Sequence, residues 1–411
     1  MPRNISPIKI SKTDACRFML AHHGLWPPRQ RTGKGGVLDY VRHVNCIQFD
    51  PINVVGRNPD LVLQSRIKDF RPALLNELLY HERQLLDGWD KLASVYPVED
   101  WPYFSRRREY LRKADYDRRP PQDALVEVLE EVKRRGPLSS LDFDKTEKVD
   151  WFWGPTKIAR AALEHLYETG HLGINHRVNN RRYFDLIERL LPEDIFAQTD
   201  PHTSTEKYQD WHIHRRIGTL GLAPAQSGDF WLGILGVKSP ERNAAIKRLT
   251  KRGEVLPIQI QDLDGQNFYI RIQDVPTLER IQNDHTPAPA AAFIAPLDNL
   301  IWNRKLIQGI FDFAYTWEVY KPKSQRQYGY YVLPVIYGDR FIARLDPSYD
   351  KKERILTVNN WWWEERVDPD KTMFSSLRDC LLHFAAYLEA DQVRLGKQAE
   401  DENSLSWVKD I

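Results

Sequence analysis

Cysteine is scarce in this sequence, and the few cysteines present stand far apart. Cys16, Cys46 and Cys380 are the three among 411 residues. An odd number at such spacing gives neither a disulfide framework nor a CxxC metal knuckle. We therefore predict reduced, mostly buried thiols and no metal site built on them.

Long apolar runs are also missing. No segment approaches the roughly 20 apolar residues that span a bilayer, and the start, Met1 to Pro7, lacks the apolar core of a signal peptide. These absences predict no membrane partner and a cytoplasmic location.

A strong net charge is absent as well, since 59 Lys and Arg face 57 Asp and Glu, for a balance of +2. That balance alone predicts no nucleic-acid partner. The basic residues are clustered, however, in segment 106–119, at Lys133–Arg135, at Arg181-Arg182 and at Arg215-Arg216. Each cluster alone is compatible with a solvated helix face, but several together favour a polyanionic partner.

A helix that ends in glycine and is followed by a β-hairpin occurs twice. The first copy has a helix over Lys157–Tyr167, then Gly170 and a hairpin to Leu186. The second has a helix over Asn243–Arg252, then Gly253 and a hairpin with an Asp264-Gly265 turn. Helices at 123–133, at 136–143 with a serine N-cap, and at 206–219 precede these copies. This order is typical of winged helices, and a third, less regular copy is predicted at 6–95.

From Phe293 onward the apolar period changes to two, which predicts antiparallel strands, and a helix follows from Phe374 to about Ala390. The predicted fold class is α+β, with tandem winged helices and a small C-terminal antiparallel β-barrel. The predicted domains are 1–115, 116–200, 201–285 and 286–411. Tandem winged helices make binding by a monomer geometrically sufficient.

The densest polar motif lies in Cys46–Arg57, an otherwise apolar segment. Alternation through Ile47 and Phe49 would put Gln48 and Asp50 on one face of an extended segment, about 7 Å apart. Pro51 prevents this segment from continuing as a central strand. An amide and a carboxylate would then face one cleft; alternatively, Asp50 caps a turn and Gln48 satisfies a backbone group.

The segment resembles the signature of the YcaQ-type and azinomycin-resistance family of interstrand-crosslink-repair DNA glycosylases, in which Gln-apolar-Asp or Gln-apolar-Gln is catalytic. The resemblance extends through Leu61–Arg66 and Leu78–Arg83, resumes at Pro296–Arg304, and is most specific at Tyr320–Pro334 with Gly338–Arg340. It departs at Lys91-Leu92, where the family has His-Glu before Ala-Ser, and that departure bears on substrate handling at this edge of the site.

The resemblance implies winged helices around a concave DNA channel, closed by the barrel, and substrates that are N7-alkylated guanines, including crosslinks, in double-stranded DNA. The enzyme would be associated with the nucleoid when bound to DNA. N7 alkylation leaves the base cationic, so it departs without protonation. Asp50 would stabilise the oxocarbenium-like sugar and act as general base, and Gln48 would hold the water. No metal or organic cofactor is implied.

Further candidates surround this motif. Asn53 and Arg57 could hold substrate or the motif itself, although an ion pair that pins the turn is an equal alternative for Arg57. Lys91 is a candidate DNA contact at the departing edge. Lys321, Lys323 and Arg326 lie on a predicted hairpin and offer cations for phosphates, and Tyr328 and Tyr330 offer rings for an exposed sugar or base. Alternatively, the tyrosines belong to the barrel core, an interpretation that we favour more for Tyr330 than for Tyr328.

Three other interpretations are weighed against this one. His22-His23 and His212/His214 have no acidic or cysteine partner at ligand spacing, so we predict helix-surface histidines. A non-catalytic winged-helix transcriptional regulator would need no Gln48 and Asp50 within its DNA footprint. A metal-dependent nuclease is disfavoured because clustered carboxylates are missing.

Overall fold

The computed structural model describes residues 6–113, 120–144, 146–152, 154–263, 265–283, 286–400 and 403–408. The predicted Asp264-Gly265 turn and the end of the basic segment 106–119 therefore lie partly outside the described residues. No helix within these ranges combines the length and apolarity that crossing a bilayer requires.

The α-helices are α1 (Lys12–His22), α2 (Gly33–Val44), α3 (Asn58–Gln64), α4 (Pro72–Asn76), α5 (Ser105–Lys113), α6 (Gln122–Arg135), α7 (Ile158–Glu168), α8 (Ile187–Leu190), α9 (Glu193–Phe196), α10 (Thr205–Leu220), α11 (Ser239–Arg252), α12 (Val275–Asn283), α13 (Arg304–Phe311), α14 (Lys371–Leu388) and α15 (Lys397–Glu400). A π-helical turn covers Glu77–His81, and 3-10 helices cover Val98–Phe104, Asp229–Trp231, Ile272–Asp274, Asn299–Ile301, Lys323–Gln325 and Asn403–Val408.

The strands are β1 (Ile8–Ile10), β2 (Ile47–Gln48), β3 (Leu85–Trp89), β4 (Ala93–Pro97), β5 (Lys148–Val149), β6 (Thr156–Lys157), β7 (Leu172–Val178), β8 (Arg181–Leu186), β9 (Ala223–Pro224), β10 (Val255–Ile260), β11 (Phe268–Arg271), β12 (Ala291–Phe293), β13 (Leu333–Tyr337), β14 (Arg340–Asp350), β15 (Ile355–Trp363) and β16 (Gln392–Leu395). Contacts divide the chain into two compact units, residues 1–75 with 209–411 and residues 76–208. The four-part division is finer than these units and stays a prediction.

The discontinuous unit, 1–75 with 209–411, contains two sheets. In the four-stranded sheet the order is β1-β10-β11-β9, and β1 pairs parallel to β10 with Ile8 opposite Ile258. The N-terminal strand thus completes a sheet whose other strands lie over 200 residues later. Helices α1 and α13 pack around one apolar core that also includes Ile336 and Phe341 of the second sheet.

The second sheet of this unit is a curled five-stranded half-barrel in the order β12-β13-β14-β15-β16. The prediction of a fully antiparallel barrel is wrong in two respects. Strand β16 pairs parallel to β15, because α14 carries the chain back before β16 begins. Within the described residues the sheet is open, since β12 and β16 remain its edges. Helix α14 packs on β12 through an edge-to-face contact between Phe384 and Phe293, with ring centroids 5.3 Å apart.

The unit 76–208 holds the first predicted helix–hairpin. Helix α7 is followed by Gly170, whose φ of +75° suits glycine, and then by the β7–β8 hairpin, with Asn179 at a φ of +54°. Helices α6 and α7 share an apolar core with β7 and β8. The helix predicted at 136–143 is wrong. Asp142 accepts from both the backbone and the hydroxyl of Ser139 at 2.7 Å, which closes one turn, and Leu138 forms a β-bridge with Phe184.

His22, His23 and His212 are buried, so the prediction of helix-surface histidines is wrong for these three. The Nε2 of His22 lies 2.7 Å from the carbonyl oxygen of Gly218, and His43 and Asp274 lie close by. Burial lowers the pKa of His22 to about 3, against the opposing pull of Asp274. His22 and His23 are therefore neutral parts of the core.

We expect this burial to make the protein sensitive to acid. Between the ordinary histidine pKa near 6.5 and about 3, only the unfolded state binds the proton of His22. The free energy of unfolding therefore falls as the pH falls through that window, by about 1.4 kcal/mol per pH unit for one group. Burial lowers the pKa of His23 and His43 also, which adds in the same direction.

Calorimetry of the wild type and of His22→Asn between pH 7 and 5 measures this dependence. The transition temperature of the variant should fall less steeply with pH than that of the wild type, because one titrating group is gone. His383→Asn changes an exposed histidine of α14 and should keep the wild-type slope. Equal slopes in wild type and His22→Asn would contradict the assignment.

Candidate active site

Two asparagine side chains fix the backbone of the Gln48–Asp50 motif. The Nδ2 of Asn299 donates to the carbonyl oxygen of Cys46 at 2.8 Å, and the Nδ2 of Asn58 donates to that of Gln48 at 2.8 Å. The Oδ1 of Asn58 in turn accepts from the N–H of Leu297 at 3.1 Å. The motif is thereby tied to a segment about 240 residues later, which lies in the same unit.

A buried ion pair joins residues 61–66, which follow the motif, to the segment 296–304. Arg66 and Asp298 form a bidentate contact, with Nη1–Oδ2 at 2.6 Å and Nη2–Oδ1 at 2.8 Å. Both side chains are fully buried. The Nε of Arg66 donates to the carbonyl oxygen of His23 at 2.9 Å. The sequence blocks 61–66 and 296–304 therefore meet beneath the motif as its support.

Asp50 is half-buried and is held by one hydrogen bond. Its Oδ1 accepts from the N–H of Ile52 at 2.9 Å, so the predicted turn-capping alternative does hold for this oxygen. Its Oδ2 accepts no hydrogen bond from the described part of the chain. Burial raises the pKa of Asp50, and the Ile52 N–H opposes that rise. The carboxylate combines a fixed orientation with an oxygen that water or substrate can reach.

Gln48 lies on β2 and its side chain is buried. The strand ends at Gln48 rather than continuing through Asp50, so the regular alternation predicted for this segment stops two residues early. Pro51 follows in irregular backbone. Gln48 and Asp50 are thus neighbours at the end of a strand.

Asn53, Gly56 and Arg57 form the turn that leads into α3. The Oδ1 of Asn53 accepts from the N–H of Gly56 at 3.0 Å. Gly56 has a φ of +118°, and a Cβ there would lie 1.7 Å from the hydroxyl of Tyr387, so only glycine fits. The backbone N–H of Arg57 donates to Asp60 at 3.3 Å, and the charge of Arg57 counters the burial that raises the pKa of Asp60 to about 6. These contacts favour a role in holding the motif.

The basic residues of the C-terminal block lie on one loop, which differs from the hairpin predicted for them. Lys321 pairs with Glu318 at 2.8 Å, and the Nε of Arg326 donates to the carbonyl oxygen of Lys321 at 2.9 Å. Lys323 is exposed. Tyr328 is half-buried, with the guanidinium of Arg344 over its ring at 4.3 Å and Trp362 against it.

The structure corrects the prediction for Tyr330 and adds Tyr320 to the candidate site residues. Tyr330, predicted to be barrel core, is 42% exposed, and the buried neighbour is Tyr331. Tyr320, which the sequence interpretation did not select, is 81% exposed. The pKa of Tyr320 is raised by loss of hydration and by the charge of Asp50, so the two side chains interact electrostatically. The sequence did carry a signal for Tyr320. It is an aromatic residue in a stretch of Lys, Pro, Ser and Gln that lacks the alternation of a strand.

Lys91 belongs to the other compact unit, 76–208. It lies at the turn between β3 and β4, where the N–H of Asp90 donates to the carbonyl oxygen of Leu92 at 3.0 Å. The side chain of Lys91 is buried, whereas Leu92 is exposed. Its role stays a prediction.

Most arginines of the basic clusters bind protein groups. Arg106 pairs with Asp200 at 2.6 Å, Arg112 donates to the carbonyl oxygen of Thr169 at 2.8 Å, and Arg182 pairs with Glu164. Arg215 and Arg216 are buried, and Arg216 donates to two backbone carbonyls. Charge clustering in the sequence therefore overstated the basic surface.

His22, His43 and Asp274 are the ligand-type side chains that converge within the described ranges, with candidate atoms all within 4.8 Å. The guanidinium of Arg271 already contacts both oxygens of Asp274, at 2.8 and 3.0 Å. A cation beside the carboxylate opposes the binding of a second one. We assign this cluster to the core.

These features define a class, namely a mixed α/β protein with a half-barrel sheet and a carboxylate-bearing motif whose backbone is held by the side chains of Asn58 and Asn299. The family model described as DNA glycosylase AlkZ-like matches residues 41–397. The chain belongs to this family of DNA glycosylases, which confirms the resemblance drawn from the sequence and favours a glycosylase over a regulator or a nuclease.

A solved structure agrees in fold. The Streptomyces sahachiroi DNA glycosylase AlkZ superposes with a TM-score of 0.61 at 12% identity, over 94% of this chain and 99% of that one. At this identity the likeness concerns the fold. The family assignment supports DNA as the substrate.

Proposed function

We propose that this protein hydrolyses the N-glycosidic bond of N7-alkylguanine in double-stranded DNA, including guanines in interstrand crosslinks, with Gln48 and Asp50 as catalytic residues. The observation that carries the proposal is the Asp50 carboxylate, half-buried, oriented by the Ile52 N–H and with Oδ2 left for water. Such a group suits a reaction whose leaving base is already cationic and needs no general acid.

The chemistry follows from charge and position. As the bond from C1′ to N9 breaks, positive charge moves onto the sugar, and the negative field of Asp50 stabilises it. Asp50 then accepts a proton from the attacking water, while the amide of Gln48 orients that water. The lone pair from the broken bond neutralises the alkylated base. No step in this scheme uses a metal.

We further propose that the helix–hairpin units around α7 and α11 are winged helices that each bind DNA, and that the protein acts as a monomer. Asn53 and Arg57 hold the motif, and Lys91, Lys321, Lys323, Arg326 and Tyr328 are proposed to contact DNA. Sequence-independent phosphate contacts of this kind predict binding that weakens steeply with salt.

The test is release of N7-methylguanine from a defined duplex, and unhooking of a mustard-crosslinked duplex, both in EDTA. Release and unhooking by the wild type would support the full proposal. Release without unhooking would limit it to monoadducts. Tight duplex binding with neither activity would contradict it, and activity that EDTA removes would contradict the metal-free scheme.

A further inference from the structure

Two exposed tyrosines lie on the loop 318–330, and one of them, Tyr320, is within electrostatic reach of the proposed catalytic carboxylate. Tyr320 and Tyr330 are 81% and 42% exposed. The pKa of Tyr320 is raised by loss of hydration and by Asp50 and Tyr330, so each of these two groups lies within electrostatic reach of Tyr320. Exposed aromatic rings beside a reactive group mark a binding surface better than isolated surface residues do.

Within the described ranges, Trp317 is the aromatic residue that supports the ring of Tyr320. Trp317 contacts it edge to face, with centroids 5.7 Å apart, and Trp317 in turn contacts the buried Tyr331 at 6.0 Å. The support therefore runs from the core to Tyr320. Its high exposure leaves ring surface for a ligand.

A buried carboxylate fixes the shape of this loop. Glu318 accepts from the Nζ of Lys321 at 2.8 Å and from the N–H groups of Gln327 and Tyr328 at 3.1 and 2.9 Å. These donors hold the pKa of Glu318 at about 2 although burial opposes them. Gly329 allows a further close approach, since a Cβ there would lie 3.0 Å from Asp346. A loop fixed before binding loses little entropy when a ligand arrives.

A cation accompanies the second ring. The guanidinium of Arg326 lies over Tyr330 at 5.0 Å, and its Nε is bound to the loop backbone. Neither terminal nitrogen donates to another residue in the described ranges. Stacking rings together with a guanidinium match a nucleobase and its phosphate.

We propose that Tyr320 stacks on a nucleobase at the site, with Tyr330 and Arg326 completing a nucleotide subsite next to Asp50. This inference rests on the proposed glycosylase function, since it assigns the residue that positions the nucleotide. The stacked base is either the alkylated guanine or its neighbour, which share the same π surface.

The test measures binding separately from cleavage. The binding probe is a duplex with one 2′-fluoro-N7-methylguanine, which resists hydrolysis, flanked by 2-aminopurine. Tyr320→Ala should weaken binding of this duplex by about 5- to 150-fold, the range for loss of one base–aromatic stack. Tyr320→Phe keeps the ring and should bind as the wild type does. Tyr349→Ala is the control, because that phenol lies among three acidic residues, Asp350, Glu389 and Asp391, and one cation, Arg354, and the excess of negative charge disfavours DNA.

The fluorescence of 2-aminopurine distinguishes the two bases. A signal that differs between wild type and Tyr320→Ala indicates stacking on the neighbour, and loss of affinity without that difference indicates the alkylated guanine. Wild-type affinity in Tyr320→Ala, or equal losses in the Ala and Phe variants, overturns the proposal. If the wild type cleaves no N7-methylguanine but the Ala and Phe variants differ in affinity as expected, the subsite stands and the proposed reaction fails.

Discussion

Replacing Asp50 with Asn is expected to lower the single-turnover rate of N7-methylguanine release by about 10² or more. The amide keeps an acceptor for the Ile52 N–H, so the local backbone should not change. It loses the negative field at the sugar and the ability to take a proton from water. DNA affinity should be unchanged or slightly higher, because a negative charge is removed from the DNA-binding surface.

The pH dependence of the release rate separates this chemical role of Asp50 from a structural one. Burial raises the pKa of Asp50 above its ordinary value near 3.8, so the wild-type rate should fall as the pH falls through that raised pKa. The residual rate of Asp50→Asn should not show this decrease at low pH.

The change in stability that Asp50→Asn causes has a predictable sign. A carboxyl whose pKa is raised in the folded state costs stability above that pKa, because the ionised form is disfavoured there. Asp50→Asn should therefore unfold at the wild-type temperature or above it near pH 7. A variant that retains the wild-type rate, or that loses rate only because it unfolds, would contradict the assignment of Asp50.

Gln48→Ala is the companion measurement. Removal of the amide should lower the release rate while DNA affinity stays at the wild-type value, because the proposed role concerns the water and not the DNA. Since the carbonyl oxygen of Gln48 still accepts from Asn58 in the variant, the motif backbone keeps its support.

Local features of the molecule were predictable from the sequence because short-range physics determines them. The helix, glycine and hairpin around α7 follow from apolar periodicity and a left-handed glycine at 170. The motif at Gln48 and Asp50 stood out as polar residues in an apolar segment, and its interpretation as catalytic came from the family resemblance. The family assignment confirms the resemblance that this motif suggested.

The remaining features depend on contacts between distant segments. Nothing local in Ile8–Ile10 indicates that it pairs with β10, and nothing in Asn58 indicates that its side chain reaches Gln48 and Leu297. The basic clusters favoured a polyanionic partner, which the family assignment supports, but the sequence did not show which arginines are buried. Arg216 is buried because it donates to the carbonyl oxygens of Phe230 and Leu232 in a later segment. Sequence alone located the candidate catalytic motif and offered Asn53 and Arg57 as residues that hold it. It did not indicate the roles of Asn58, Asn299 and the Arg66–Asp298 pair.

The support beneath the motif yields the second large prediction. Asp298→Asn should lower the free energy of unfolding of its unit by about 3–5 kcal/mol, because it leaves the buried charge of Arg66 without its counter-ion. The matched control is Asp312→Asn, which breaks the pair of Lys12 and Asp312 at 2.8 Å, where the side chains are 33% and 82% exposed. That change should cost less than about 1 kcal/mol.

Urea unfolding of both variants measures the difference, and a double variant locates its cause. Replacing both partners, Arg66→Met with Asp298→Leu, removes the unpaired charge and should recover part of the loss, although the carbonyl oxygen of His23 then lacks its donor. Equal losses in Asp298→Asn and Asp312→Asn would show that burial does not strengthen the Arg66–Asp298 contact. A loss in Asp298→Asn that the double variant fails to reduce would place the cost in packing, since charge burial predicts recovery once both charges are gone.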